Sequence, residues 1–294
     1  MAKPIFWLAL SGGVDSAVAG WLLKQRGIEC TAVFMKNYAE DDGGFCPWRE
    51  DQESAAQVAK FLDIPFRSVN FEREYRAKVL NIFYAEYTAG LTPNPDILCN
   101  REIKFSLFAD AARADGAAGI VTGHYARIVR RNGRAHLMHA KDQTKDQSYF
   151  LSLLDETQLR NAYFPLGNML KGDVRTIAKK IGLPNAERPD SQGICFVGER
   201  NIVDFLQQRI APTPGPIVSL DGKILGEHQG LSFYTIGQRS GIGVAAPEPL
   251  YVAAKHRETN SLVVAPRSRP EILLRSTLLG NPVHWVNGQP KKRI

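Results

Sequence analysis

Between Ile5 and Val18 the chain reads IFWLALSGGVDSAV. A short apolar run, paired glycines and a hydroxyl residue before a helical pattern confine this stretch to a buried strand, a tight loop and a helix. Gly12 and Gly13 let the backbone come close to phosphate oxygens, and the free N–H groups of the following helix favour an anion. Ser11 and Ser16 add hydroxyls, and Asp15 adds a carboxylate suited to a magnesium ion on the phosphates. The lysine of an ordinary NTPase loop is missing. Its absence favours a loop that grips pyrophosphate as a leaving group over one that hydrolyses a terminal phosphate. The structural alternative, a strand–helix turn with a capping serine, explains a glycine pair but not the whole six-residue string.

Beyond this loop the chain alternates between two kinds of segment. CTAVFMK, FRSVNF and GIVTGH read as further strands. SAVAGWLLKQRG and WREDQESAAQVAKFLDI read as helices, the first closed by Gly27 and the second acidic at its start. More helical segments are expected around 72–89 and 101–114, then at 147–160, 171–181 and 200–209. Strand alternating with helix predicts an α/β fold with a doubly wound parallel sheet, whose ligands bind at the carboxyl ends of the strands. SGGVDS, MKNY and TGHY would all lie there. A hairpin is expected to turn at Asn132-Gly133. After APTPGP, 211–216, short alternating runs and turn glycines predict a small β-rich part. The expected division is 1–210, a catalytic nucleotide-binding domain; 211–270, a small β-rich central domain; and 271–294, the start of an incomplete C-terminal β-barrel.

The net charge is +7 and is unevenly placed. Residues 1–120 carry 13 Lys and Arg against 16 Asp and Glu, whereas 121–294 carry 24 against 14. The bland explanation is a solvated surface, but the asymmetry also suits a polyanion such as nucleic acid. No apolar run reaches membrane-spanning length and the first residues do not read as a signal peptide, so no membrane partner is expected. Four scattered cysteines, Cys30, Cys46, Cys99 and Cys195, form no CxxC pair and no disulfide framework. A reducing, cytoplasmic setting is expected.

Two cysteines stand out. Cys99 sits in TPNPDILCNREIKF, stiffened by two prolines, near Asn94 and Asp96, and just before an expected helix start whose dipole would lower a thiol pKa. Cys195 sits in DSQGICFVG, beside Gly193. A single cysteine is as readily a small buried apolar residue, and Cys30 on a strand reads that way. The role of Cys46, in GGFCPW, is open.

The SGGVDS loop resembles the PP-loop of ATP pyrophosphatases, which cleave ATP between the α and β phosphates and adenylate a substrate oxygen. In order, SGGVDS, FMKN, TPNPDILCN, IKF, TGHYAR, KDQSYFL, GICFVGER, GEHQGL, TIGQR and HWV together resemble the bacterial tRNA-specific 2-thiouridylase (tRNA-uridine 2-sulfurtransferase) family over about residues 5–287. The resemblance implies a PP-loop fold that binds ATP with magnesium through Ala9, Leu10, Ser11, Gly12, Gly13, Val14, Asp15 and Ser16, with Met35 and Gly123 also in the nucleotide site. It implies adenylation of C2 of uridine 34, the wobble base of tRNAs for Lys, Glu and Gln. Cys195 would carry a persulfide from a sulfur-relay protein or cysteine desulfurase. Cys99, beside Asp96, would help release the sulfur and form a disulfide with Cys195. Asn94, Pro95 and Asp96 match positions that contact the target base; His124, Lys145, Asp146 and Gln147 match tRNA-contacting positions.

The chain departs from the family pattern in Gln192, where a small hydroxyl residue is common, and in the short C-terminal barrel. Three alternatives stay open: a PP-loop ATP pyrophosphatase that uses ammonia in place of sulfur, a tRNA-binding fragment without chemistry, and an iron–sulfur cluster held by Cys99, Cys195 and Asp96.

Overall fold

The structure, a computed structural model, describes residues 3–39, 47–190, 201–274, 276–277, 279–280 and 283–289. The described residues fall into two compact units. One is drawn from Met1–Leu80, Pro95–Glu199 and His284–Ile294, the other from Asn81–Asn94 and Arg200–Val283.

The first unit is built on five parallel strands: β1 Ile5–Ala9, β2 Glu29–Lys36, β3 Phe66–Asn70, β4 Gly119–Val121 and, numbered after the two strands of a hairpin, β7 Ala162–Tyr163. Their order is β3-β2-β1-β4-β7. Alternation along each strand feeds two cores. Leu8 and Phe34 pack with α1 (Val14–Gln25), α2 (Pro47–Leu62) and α8 (Lys171–Lys180) through Val18, Leu23, Val58, Leu62 and Val174. Trp7, Ala9, Val33 and Met35 face the other way, onto Phe105, Phe108, Leu151 and Leu154. Both faces are covered, which is why the strands read as continuous apolar runs. Burying one such Leu or Phe contributes about 1.5–3 kcal/mol, and truncating Leu8 to Ala would cost about 2–5 kcal/mol.

All four strands expected from the sequence form. β7 is new: only two residues long, it falls below the length at which periodicity speaks. The hairpin forms from β5 (Arg127–Arg131) and β6 (Arg134–Met138), with Asn132 and Gly133 at positive φ. The expected helix over 147–160 is instead a 3-10 turn, Ser148–Leu151, and a separate helix, α7 Glu156–Arg160. The break has a local cause: Asp155 accepts from the Gln158 backbone N–H while the Gln158 side chain accepts from the Asp155 N–H, and this capping box starts a new helix. The run expected at 101–114 starts earlier. Pro95 opens α5 (Pro95–Cys99), which continues through wider π-type turns, Asn100–Leu107, into α6 (Phe108–Ala114). A proline is well suited to the first helical turn.

In the second unit, reached through α3 (Glu72–Tyr75) and Arg76–Leu80, α4 (Asn81–Thr88) lies with α9 (Ile202–Gln207). The Phe83 and Tyr84 rings pack on Phe205 at 6.0 and 5.6 Å. This unit also holds a four-stranded sheet of order β10-β11-β8-β9, from β8 Gly215–Val218, β9 Ile224–His228, β10 Leu250–His256 and β11 Ser261–Pro266. The β-rich reading of this region holds. Beyond it the described residues form a short turn, Pro270–Ile272, and no strand. His284 and Asn287 belong to the first unit, where they bond the Leu154 carbonyl at 3.0 Å and the Ala135 carbonyl at 2.7 Å.

Candidate active site

The loop after β1 is locked by its own serines. The Ser11 N–H donates to Ser16 Oγ at 3.2 Å, and Ser16 Oγ donates to the Gly13 carbonyl at 3.0 Å. Ser16 is buried and occupied by the loop, whereas Ser11 is exposed. Gly12 has φ +84°, and a Cβ there would sit 2.4 Å from the Asp51 carbonyl oxygen. Its own carbonyl accepts from Ser54 Oγ at 2.8 Å, Asn185 Nδ2 at 2.8 Å and Arg188 Nη1 at 3.3 Å. Gly123, after β4, packs against the start of α1 so closely that a Cβ would lie 2.8 Å from the Ser16 nitrogen. The residues expected at the nucleotide, Ala9 to Ser16 and Gly123, thus meet at the carboxyl ends of β1 and β4, with Ala9, Leu10 and Val14 buried in the cores and Ser11 exposed. Met35, next to last in β2, pairs with Val69 of β3 and has its side chain in the core.

The cation missing from the loop arrives from α8. Lys171 Nζ lies 2.8 Å from both Asp15 oxygens and 2.8 Å from Asp190, with its side chain only 12% exposed. Asp15 also accepts from the Tyr125 hydroxyl at 2.9 Å. Burial, followed by the Asp15 charge, pushes the Tyr125 pKa up, so it remains a donor. Arg175 pairs with Asp190 as well, and Lys145 approaches it at 3.8 Å. Burial raises the Asp190 pKa, but Lys171 and Arg175 outweigh it and hold the carboxyl below its usual range. Arg188 pairs with Asp51. Sequence reasoning missed Lys171, Asp190, Asn185, Arg188 and Tyr125. Tyr125 lies inside the TGHY motif and Asp190 opens the DSQGICFVG stretch, so both could have been flagged; the others carry no local signal.

Cys99 is fully buried and closes α5, so it lies inside a helical run rather than before one. This corrects the expectation that a helix start lowers its thiol pKa: the first turn's free N–H groups belong to Asp96 and Ile97, Pro95 having none, and the chain continues helically past the thiol. Asp96 is in that first turn. Asn94 precedes it, in the second unit. Asn100 is 2% exposed; its Nδ2 donates to the Phe150 carbonyl at 3.2 Å, while its Oδ1 has no partner among the described residues. Cys195, Gln192 and Cys46 lie outside the described residues.

The residues matched to tRNA contacts divide. Asp146 accepts from the Ala140 N–H at 2.6 Å, Ser148 Oγ at 2.6 Å and His139 at 3.0 Å. Gln147 Oε1 accepts from the Tyr125 N–H at 3.0 Å. Asp146 braces its own loop, Gln147 ties that loop to Tyr125, and of these matched residues only Lys145 is exposed. His124 bonds Thr122 at 2.7 Å and its ring lies 5.8 Å from both Phe105 and Phe164. Burial, helped by Lys104, lowers its pKa well below 6.5, so it is a neutral ring rather than a phosphate-binding cation.

A parallel sheet with this loop and its clustered cations defines a nucleotide-binding α/β protein of the ATP pyrophosphatase kind. The family profile described as the tRNA methyl transferase HUP domain matches residues 5–199, and that of the tRNA methyl transferase PRC-barrel domain matches 203–266. The tRNA-specific 2-thiouridylase MnmA of Nitrosomonas eutropha is 49% identical over 99% of this chain and 82% of its own length. The Burkholderia multivorans protein of the same name is 49% identical over 99% and 78%. A solved 4-thiouridine synthetase–RNA complex with bound ATP aligns at TM-score 0.43 and 18% identity, over 70% of this chain and 50% of that one. The chain belongs to the tRNA-specific 2-thiouridylase family.

Proposed function

We infer that this protein is a tRNA-uridine 2-sulfurtransferase that makes 2-thiouridine in tRNA with ATP. The reading is carried by the site's one unusual construction. A phosphate loop without a lysine receives one from α8, where Lys171 is held between Asp15 and Asp190 at 2.8 Å. These residues suit a polyphosphate: Gly12 holds a left-handed turn with no room for a Cβ, and Lys171, Arg175 and Arg188 gather around the loop. Magnesium would neutralise phosphate charge there, with Asp15 as the neighbouring carboxylate.

In the proposed reaction, ATP adenylates C2–O of uridine 34, the wobble base in tRNAs for Lys, Glu and Gln, and pyrophosphate leaves. Lys171 stabilises the negative charge that accumulates on the departing oxygens, exchanging its carboxylate partners for them. Cys195 brings the sulfur as a persulfide from a sulfur-relay protein or cysteine desulfurase. Attack by the Cys99 sulfur on the Cys195 sulfur frees the outer sulfur, which replaces AMP at C2. A Cys99–Cys195 disulfide remains, to be reduced by external thiol. Asn94, Pro95 and Asp96 are proposed to meet the target base and Lys145 the tRNA backbone. His124, Asp146 and Gln147 are proposed to shape that surface. The cytoplasm is the proposed setting, and the division at 210 and 270 remains our proposal for the working parts. The iron–sulfur alternative depends on Cys195, which lies outside the described residues, and the proposed reaction uses the persulfide.

The deciding experiment is mass spectrometry of tRNA nucleosides after incubation with ATP, magnesium and a sulfur source. Exchange of one oxygen for sulfur in uridine supports the reading. ATP cleavage without that exchange, or ammonia-dependent products insensitive to the cysteines, overturns it.

A further inference from the structure

In the turn Ser148–Leu151, Ser148 and Leu151 are buried, and at three residues per turn they share the inner side. Tyr149 is therefore thrown outward and is 55% exposed, an unusual position for a large aromatic side chain. The mount is firm. Ser148 is tied to Asp146 at 2.6 Å and to His139 at 3.0 Å. The Phe150 carbonyl is held by Asn100, the residue after Cys99. The Tyr149 ring rests on Phe150 with centroids 3.9 Å apart. Its hydroxyl feels its surroundings: partial burial, then the charges of Asp96 and Asp146, raise its pKa. An exposed, well-mounted ring is thus fixed beside the helix that carries Asp96 and Cys99.

We propose that the open part of the Tyr149 ring is the stacking platform for the uracil that undergoes thiolation, once that base has left its place in the anticodon stack. The inference rests on the proposed function. An enzyme acting on C2 of a base in an RNA loop must take that base out of its neighbours' stack, and the lost stacking is replaced by an aromatic side chain. Tyr149 is the exposed aromatic ring that is tied to the Cys99 helix through the Asn100–Phe150 bond. An aromatic face grips any flat base, so Tyr149 supplies grip and orientation, whereas selection of uracil falls to polar groups nearby.

The test compares wild type with Tyr149→Phe, Tyr149→Leu and Tyr149→Ala. The readouts are kcat/KM for tRNA by nucleoside mass spectrometry, the KM for ATP, and the melting temperature. Stacking predicts that Phe stays within about twofold of wild type. Leu, which keeps bulk over Phe150 without a π face, and Ala should lose roughly 5- to 150-fold in kcat/KM for tRNA. The KM for ATP and the melting temperature should not move. A Leu variant equal to wild type overturns the proposal, and so does a Phe variant as poor as Ala, which would assign the effect to the hydroxyl. Wild-type protein that forms no 2-thiouridine overturns the proposed function itself, and the platform with it.

Discussion

Around residues 11–16, Lys171, Arg175, Arg188 and Lys145 interlock with Asp15, Asp51 and Asp190, and hydroxyl and amide groups fill the gaps. Along the helical run that carries Cys99 the materials differ: Pro95, Ile103 and Phe105 are buried, Asn100 Oδ1 is buried without a partner among the described residues, and His124 is held neutral between Phe105 and Phe164. One region is dense in paired charge. The other encloses a thiol that is fully buried. The contrast fits two chemistries in one unit: polyanion departure needs preset charge, whereas a sulfur intermediate is protected from water by a closed, apolar setting.

The contrast can be broken from the thiol side first. Cys99→Ser should adenylate tRNA and accept a persulfide on Cys195, yet produce no 2-thiouridine above background in a single turnover. A non-reduced digest of wild type after one turnover should contain the Cys99–Cys195 peptide. Turnover of the serine variant at wild-type speed would reduce Cys99 to a packing residue.

From the charged side, Lys171→Met should lower AMP formation by about 10²–10³-fold, the range for removing one preset charge or donor. Persulfide loading of Cys195, which needs no ATP, should persist. Because the substitution leaves Asp15 and Asp190 facing each other, the melting temperature should fall as well. Lys171→Arg separates the two effects by restoring charge. AMP formation by the methionine variant at wild-type rate would remove Lys171 from the mechanism.

The charge asymmetry of the chain sharpens the comparison at the level of binding. If the basic residues of 121–294 meet tRNA phosphates, a plot of log affinity against log salt should be linear, with a slope of roughly −0.7 to −0.9 per contact. Replacing exposed Lys145 by Gln should make the slope shallower by about one contact. A flat plot would point away from phosphate contacts.

The smallest expected effect concerns pH. His124 has a folded pKa below 6.5, so the unfolded chain takes up a proton first as pH falls. Its contribution is fully present above pH 6.5. Stability should decline below that value, by at most about 1.4 kcal/mol per pH unit, until the folded pKa is reached. His124→Gln should flatten the urea midpoint between pH 6.5 and 5. An unchanged slope would show that His124 does not govern the decline.

Most of the first unit is legible from the sequence because its signals are local. Apolar runs mark β1 to β4, Asn132-Gly133 turns the hairpin, and paired glycines open α1. The capping box at Asp155–Gln158 is equally local, yet it is hidden beneath a helical pattern that spans 147–160. The motif around Cys99 marks the thiol but misplaces it relative to its helix, because Pro95 reads both as a loop residue and as a first helical residue.

What the sequence by itself determined is therefore the strand–loop–helix at the start, the parallel alternation after it, and the motifs that identify the family. Only the tertiary structure decided the source of the missing cation. Lys171 stands 156 positions from Asp15, and Arg188 stands 176 from Gly12. Periodicity and turn chemistry report on neighbours within a few residues. An ion pair across that distance exists only because α1 and α8 pack on the same side of the sheet, burying Val18, Leu23 and Val174 in one core. The apolar burial that folds the unit is what delivers the lysine to the loop.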